Sequence, residues 1–134
     1  MATRGRKASA APHRTPMQWE IWQVNQVASR AATSPPTPPD PDKNERPFIV
    51  ISPNAYNRGG LEVVCLPISG KQYVQMFEVE LTPELVSGLT KVCYVKCFKP
   101  VTMDVQFLKQ YRGTLADDVK INEIKDTLKE FLEL

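Results

Sequence analysis

Six of the twelve prolines fall within residues 33–47, in the stretch TSPPTPPDPDKNERP. Proline fixes φ and has no backbone N–H, so this stretch can be neither helix nor inner strand. It reads as an extended, polyproline-like loop. Apolar runs flank it, QWEIWQVNQV over residues 18–27 and Phe48-Ile49-Val50-Ile51, and both read as strands. A lone ribbon is not a domain, so the loop joins two strands of one domain and is not a boundary between two. Loops this long are uncommon inside small domains and are often functional.

The same strand-sized grain continues beyond the loop. In residues 18–27, Trp19, Ile21 and Gln23 alternate with Glu20, Trp22 and Val24, which sets the two tryptophans on opposite faces. Ser52-Pro53 stops the second strand, and Asn54 to Gly60 reads as a helical turn and then a glycine turn. Leu61 to Ile68 reads as a strand ended by Ser69-Gly70-Lys71, and residues 73–81 alternate as an amphipathic strand. Pro83 and Gly88 bracket a turn of helix. Residues 89–98 form a further strand, and Val101 to Met103 a last short one.

Leu115 to Leu134 is the one long helical pattern. Val119/Ile121, Ile124, Leu128 and Phe131/Leu132 recur at helical spacing, with Asp117 and Asp118 at the positive N-terminal end. Five or six short strands and one closing helix predict a mainly β, small α+β fold. The expected architecture is a compact antiparallel barrel with the C-terminal helix packed against it. A chain of 134 residues supports one such domain, expected over residues 17–134.

Charge and cysteines narrow the function. The net charge is +2, but Arg4, Arg6, Lys7 and Arg14 supply four positive charges in residues 1–16 without an acid, leaving −2 on the rest. Residues 1–16 are expected to be a disordered basic tail, and any nucleic-acid surface on the body must be a local patch. No stretch is apolar enough to span a bilayer, and the N-terminus lacks an export h-region. Cys65, Cys93 and Cys97 are an odd set, and the one histidine, His13, lies in the tail. Buried thiols in a reducing cytoplasm are expected, with no metal site and no cofactor.

In order along the chain stand EIWQV (Glu20–Val24), RPFIVISPNAYN (Arg46–Asn57), VVCLPISG (Val63–Gly70), FEVEL (Phe77–Leu81) and GLTKVCYVKC (Gly88–Cys97), followed by the terminal helix. This series resembles the MazF/PemK toxins of bacterial toxin–antitoxin systems over nearly all of residues 18–134. The resemblance implies an SH3-like barrel of the MazF/CcdB/PemK type, a homodimer, and metal-free cleavage of single-stranded RNA in the cytoplasm. It also implies a cognate antitoxin protein that occupies the substrate groove.

Such cleavage uses the 2′-hydroxyl as nucleophile and needs proton transfer and cations around a crowded phosphate. With no histidine in the expected fold, a paired-histidine ribonuclease is excluded. Arg46 matches the family's RP motif and offers a charged fork to phosphate; its plainer use is an ion pair with Glu45 or Asp42. Ser69 matches the Thr/Ser at the end of a strand and can orient a phosphate oxygen; its plainer use is a local turn bond. These two are the catalytic candidates. Lys71, Lys96, Lys43, Asn57 and Arg58 are the RNA-binding candidates.

Two departures from the family pattern stand out. Phe98 and Val101 occupy positions where some members carry Asp and Arg, and the loop before Arg46 offers only Asp40, Asp42, Lys43 and Glu45 as ionisable groups. They leave a second reading, a domain without nuclease chemistry that binds a protein or nucleic acid through the same groove. A third is weak, salt-sensitive DNA binding by the basic tail.

Overall fold

A computed structural model describes residues 14–25 and 45–134. Among these residues seven strands form one antiparallel sheet: β1 (Glu20–Asn25), β2 (Glu45–Val50), β3 (Glu62–Ser69), β4 (Glu78–Leu81), β5 (Cys93–Lys96), β6 (Val101–Asp104) and β7 (Leu108–Thr114). The spatial order is β4-β5-β3-β2-β1-β7, and β6 pairs with β3. A short helix, α1 (Asn54–Asn57), follows β2, and α2 (Asp118–Leu132) closes the chain. The mainly β, barrel-like reading with a C-terminal helix holds. No described helix is long and apolar enough to cross a membrane.

The alternation of apolar residues builds two cores on opposite faces of the curved sheet. Ile21, Ile49, Leu66, Ile68, Val79 and Val95 point to one face, where Ile124 of α2 packs among them. Trp22, Val24, Phe48, Val50, Val63 and Cys65 point to the other, where Met103, Val105 and Leu108 from the β6–β7 region cover them. The tryptophans divide as expected: Trp22 is in the second core and Trp19 packs against the first. Trp19 has φ +73°, rare for so bulky a side chain. Its N–H bonds to Val50 O at 2.7 Å and its carbonyl accepts from Leu115 N at 2.9 Å, which holds the conformation from both sides.

Several element limits differ from the sequence reading. β7 lies where the sequence pattern assigns no element: LKQYRGT mixes charge with a glycine, and it forms because it adds to β1 at the sheet edge, with register shifts between Ile21/Trp22 and Gln23/Val24. The helix starts at Asp118, with the Asp117 side chain accepting the Lys120 N–H at 3.0 Å, so Leu115 is a buried core residue ahead of it. The strand expected over residues 73–81 is a 3-10 turn, Gln75–Phe77, and then the four residues of β4. Residues 83–88 make hydrogen-bonded turns, not a helical turn. Gly88 is needed there, because a Cβ on it would lie 1.4 Å from Arg112 O. Glu45, Arg46 and Pro47 belong to β2, so the proline-rich segment gives up its last three residues to the sheet. The rest of that segment and most of the basic tail lie outside the described residues.

Candidate functional site

The two catalytic candidates lie at one end of the β2–β3 pairing. The β2–β3 pairing ends with Phe48 opposite Pro67, and Arg46 and Ser69 each lie two residues beyond that pair, at the same end of the two strands. Arg46 shares its face with Phe48 and Val50, and Ser69 shares its face with Cys65 and Pro67, so both belong to the side of the second core. On the other side of Ser69 lies Tyr94 of β5. Next to it come Glu80 and the Glu78–Lys96 pair of β4 and β5. One sheet face therefore carries Arg46, Ser69, Tyr94, Lys96 and Glu78 in sequence across four strands. Arg46 and Ser69 are half-buried, with part of each side chain open to solvent.

The Lys96 and Glu78 end of this row is a buried ion pair. Lys96 Nζ donates to Glu78 Oε2 at 2.7 Å, and the two side chains are 4% and 0% exposed. The ammonium also donates to the carbonyl of Lys71. It lies 4.7 Å from the ring centroid of Tyr73 and 5.8 Å from that of Tyr94. The Glu78 carboxylate accepts further bonds from the N–H groups of Tyr73, at 3.1 and 3.0 Å, and Val74, at 3.1 Å. Burial by itself raises the Glu78 carboxyl. The hydrogen bonds from Lys96, Tyr73 and Val74, with the Lys96 charge, outweigh it and hold the group below the usual carboxylate range. The pair is thus a closed support for the chain segment 71–74. Lys96, expected to line a groove, is a buried cation paired inside the protein.

Ser69 Oγ accepts from the Lys71 N–H at 3.2 Å and donates to the Lys71 carbonyl at 3.3 Å. This is the local turn bond that a serine before glycine favours, and it leaves the hydroxyl at the exposed edge of the row. Lys71 itself is exposed. Its carbonyl joins Ser69 to Lys96, so the turn, the buried pair and the overlying Tyr73 form one connected unit.

The other candidates are elsewhere. Asn57 is 0% exposed. Its amide donates to Ser52 O at 3.0 Å, its side-chain oxygen accepts from Ser52 Oγ, and that hydroxyl accepts from the Val64 N–H at 3.0 Å. This network clamps α1 to β3 at the end of β2 remote from Arg46, so the structure places Asn57, one of the RNA-binding candidates, in a buried role in the fold. Arg58 is exposed at that same remote end. Lys43, Asp40 and Asp42 lie outside the described residues. Phe98 is half-buried, and Val101 packs against the second core.

A second charged cluster stands on β1. Glu20, 4% exposed, pairs with Arg14 at 2.6 Å and accepts from Trp22 Nε1 at 3.0 Å. The Arg14 guanidinium lies over the rings of Tyr111 and Trp22, at 4.8 and 5.8 Å. One of the four basic residues assigned to the tail is thereby fixed to the barrel. All three cysteines are buried and free. Burial pushes the Cys97 thiol up to about 12, with Glu123 and Glu78 adding to the shift, and burial pushes Cys93 up to about 11 against the Lys91 charge. No three His, Cys, Asp or Glu side chains cluster as metal ligands among the described residues.

Sequence reasoning missed Glu78, Tyr73 and Tyr94. The alternation of FEVEL sets Glu78 and Glu80 on one face of β4, away from Val79 and Leu81, but nothing local says which glutamate is covered. That depends on the pairing of Glu78 with Lys96, eighteen residues away in sequence.

The family model for the PemK-like, MazF-like toxin of type II toxin–antitoxin systems matches residues 17–132. Among solved structures, an endoribonuclease from a mycobacterial species is 20% identical, with a TM-score of 0.67, over 90% of this chain and 94% of that one. The same kind of protein in complex with its cognate antitoxin, also mycobacterial, is 21% identical with a TM-score of 0.66, over 89% and 96%. The MazE–MazF complex from Deinococcus radiodurans is 21% identical with a TM-score of 0.66, over 90% and 99%. At these identities the structural likeness establishes the fold. No curated protein sequence matches the chain.

Proposed function

This chain belongs to the PemK-like, MazF-like toxins of type II toxin–antitoxin systems, and we propose that it is a metal-independent endoribonuclease acting on single-stranded RNA. One observation carries the reading: Arg46 and Ser69 lie just past the same end of the β2–β3 pairing and on the same face of the sheet, although they are 23 positions apart in sequence. Both keep solvent access.

In this reading the Arg46 guanidinium holds the scissile phosphate through its donor fork and offsets the charge that grows as the 2′-oxygen attacks phosphorus. The Ser69 hydroxyl, a rotatable donor and acceptor, orients a phosphate oxygen at the strand end. Lys71 adds an exposed cation beside it. Glu78 is not the base: its carboxylate is buried, ionised and engaged by three N–H or ammonium donors, so it acts as support. The endoribonucleases that share this fold, and their complexes with antitoxins, support the same assignment for this chain. The proposal includes a homodimer in the cytoplasm and a cognate antitoxin protein as its inhibitor.

The burial of Lys96 favours a second reading. With that cation enclosed and with Phe98 and Val101 at two family positions, the face can bind RNA or a protein without cutting. Cleavage of a long single-stranded RNA in EDTA decides between them, comparing wild type with Arg46→Ala and Ser69→Ala. The nuclease reading expects wild-type cleavage that falls at least tenfold in Arg46→Ala. An intact RNA with wild type, or equal cutting by Arg46→Ala, sinks the assignment.

A further inference from the structure

Tyr73 is out of place as an ordinary turn residue. Its side chain is among the most exposed of the large apolar groups, at 69%. Yet its backbone N–H is gripped by both oxygens of the buried Glu78 carboxylate, and Val74 N–H joins the same carboxylate. One side of the ring is turned toward the Lys96 ammonium, 4.7 Å from the centroid. A buried ion pair thus holds an aromatic ring in open solvent, with a cation beneath it. Lys96 also reaches the carbonyl of Lys71, to which Ser69 Oγ donates at 3.3 Å, so the ring belongs to the Ser69 turn.

We propose that Tyr73 is a stacking site for one nucleobase of a single-stranded RNA, held beside Ser69 by the Glu78–Lys96 pair. The proposal rests on the ribonuclease reading and adds to it a place for a base next to the phosphate site. Aromatic faces bind bases of any identity, and a platform whose backbone is already fixed loses little freedom when a base settles on it. The cation under the ring draws its π-electrons inward, which leaves the outer face a better partner for an electron-rich purine. A phosphate beside that base would lie toward the Ser69 turn, which also carries the exposed Lys71. A protein partner would instead use Tyr73 together with the exposed Val74 and Met76, and the test separates the two.

Full-length protein is titrated at low salt with four uncleavable homopolymer octamers, 2′-fluoro RNA of A, C, G or U, and with an abasic octamer of the same backbone. The wild type is expected to bind the purine octamers most tightly. Tyr73→Ala should weaken the tightest of them by about five- to hundredfold and leave the abasic octamer unaffected, and Tyr73→Phe, which keeps the ring, should restore binding. Equal losses on the octamers with and without bases mean that Tyr73 only shapes the loop, and overturn the proposal. No loss at all also overturns it and leaves the ring to a protein partner. A wild type that binds none of the octamers fails earlier, at the RNA reading itself, and the proposal falls with it.

Discussion

The two ends of β2 carry polar residues of one motif, RPFIVISPNAYN, and the fold treats them in opposite ways. At the end where β2 begins, Arg46 and Ser69 keep part of their surface open to solvent. At the end where β2 stops, about 20 Å away at strand rise, Ser52 and Asn57 turn every polar atom inward and satisfy one another against Val64. Residues that hydrogen-bond each other completely shape a chain; residues that present donors to solvent are free to act on a ligand. The difference teaches that a shared motif is not a shared role.

The open end has a buried foundation of its own, and the largest expected effect tests it. Removing one partner of an enclosed ion pair leaves the other charge unpaired in a poor solvent, at a cost of about 3–5 kcal/mol. Glu78→Ala strands Lys96 and releases Tyr73 and Val74, so denaturant unfolding should show a loss of that order. Glu78→Gln keeps the shape and should lose less. The pH dependence follows from the sign of the shift: because the folded Glu78 carboxyl lies below its unfolded value of about 4.3, its contribution is complete above that value. It is lost as the pH falls through the folded value. Glu78→Gln should therefore flatten the acid side of the stability curve, and a curve of unchanged slope would deny the pair its role.

Asn57→Ala comes next. It takes the donor from Ser52 O and the acceptor from the Ser52 hydroxyl proton in a buried place, at about 1–3 kcal/mol. Stability should fall by that amount while RNA cleavage, measured well below the melting temperature, keeps its rate. A cleavage rate that drops with the fold intact would move RNA to this end and erase the contrast.

Much of this contrast was visible in the residues. Period-two alternation placed Trp19 and Trp22 on different faces, the spacing of Ile124 and Leu128 gave the closing helix, and the apolar run Phe48 to Ile51 marked the second strand, though not its start at Glu45. What could not be read were properties of pairing. LKQYRGT has no apolar alternation, and it becomes β7 only because β1 offers it an edge. The fate of Lys96 depends on Glu78 across the ladder, and that of Asn57 on Ser52 and Val64 around it. Local patterns fix which face a side chain takes; they do not say what covers it.

Arg46→Ala reverses the Asn57 experiment. The cleavage rate should fall at least tenfold, about 1.4 kcal/mol of transition-state stabilisation or more, with an unchanged melting temperature, because the side chain is half-exposed at a strand end. Loss of stability equal to that of Asn57→Ala would make both ends structural.

The smallest effect compares two exposed lysine and arginine side chains, one from each end. Neutralising a cation that touches a phosphate removes one counterion-release contribution, which lowers the slope of log affinity against log salt by about 0.7 for a single strand. Lys71 stands beside Ser69 at the open end, so Lys71→Ala should show that drop with the 2′-fluoro octamers. Arg58 stands beside the closed Ser52–Asn57 network, so Arg58→Ala should leave the slope where it was. Both variants keep the fold, since neither side chain is buried, and the slope is insensitive to small changes in overall affinity. Equal drops would mean that the bound strand runs the length of β2 and that the polarity of its two ends sets only where cutting happens. A drop at Lys71 alone fixes the track of the RNA to the row Arg46, Ser69 and Tyr73, and gives the open end a ligand in addition to an exposed face.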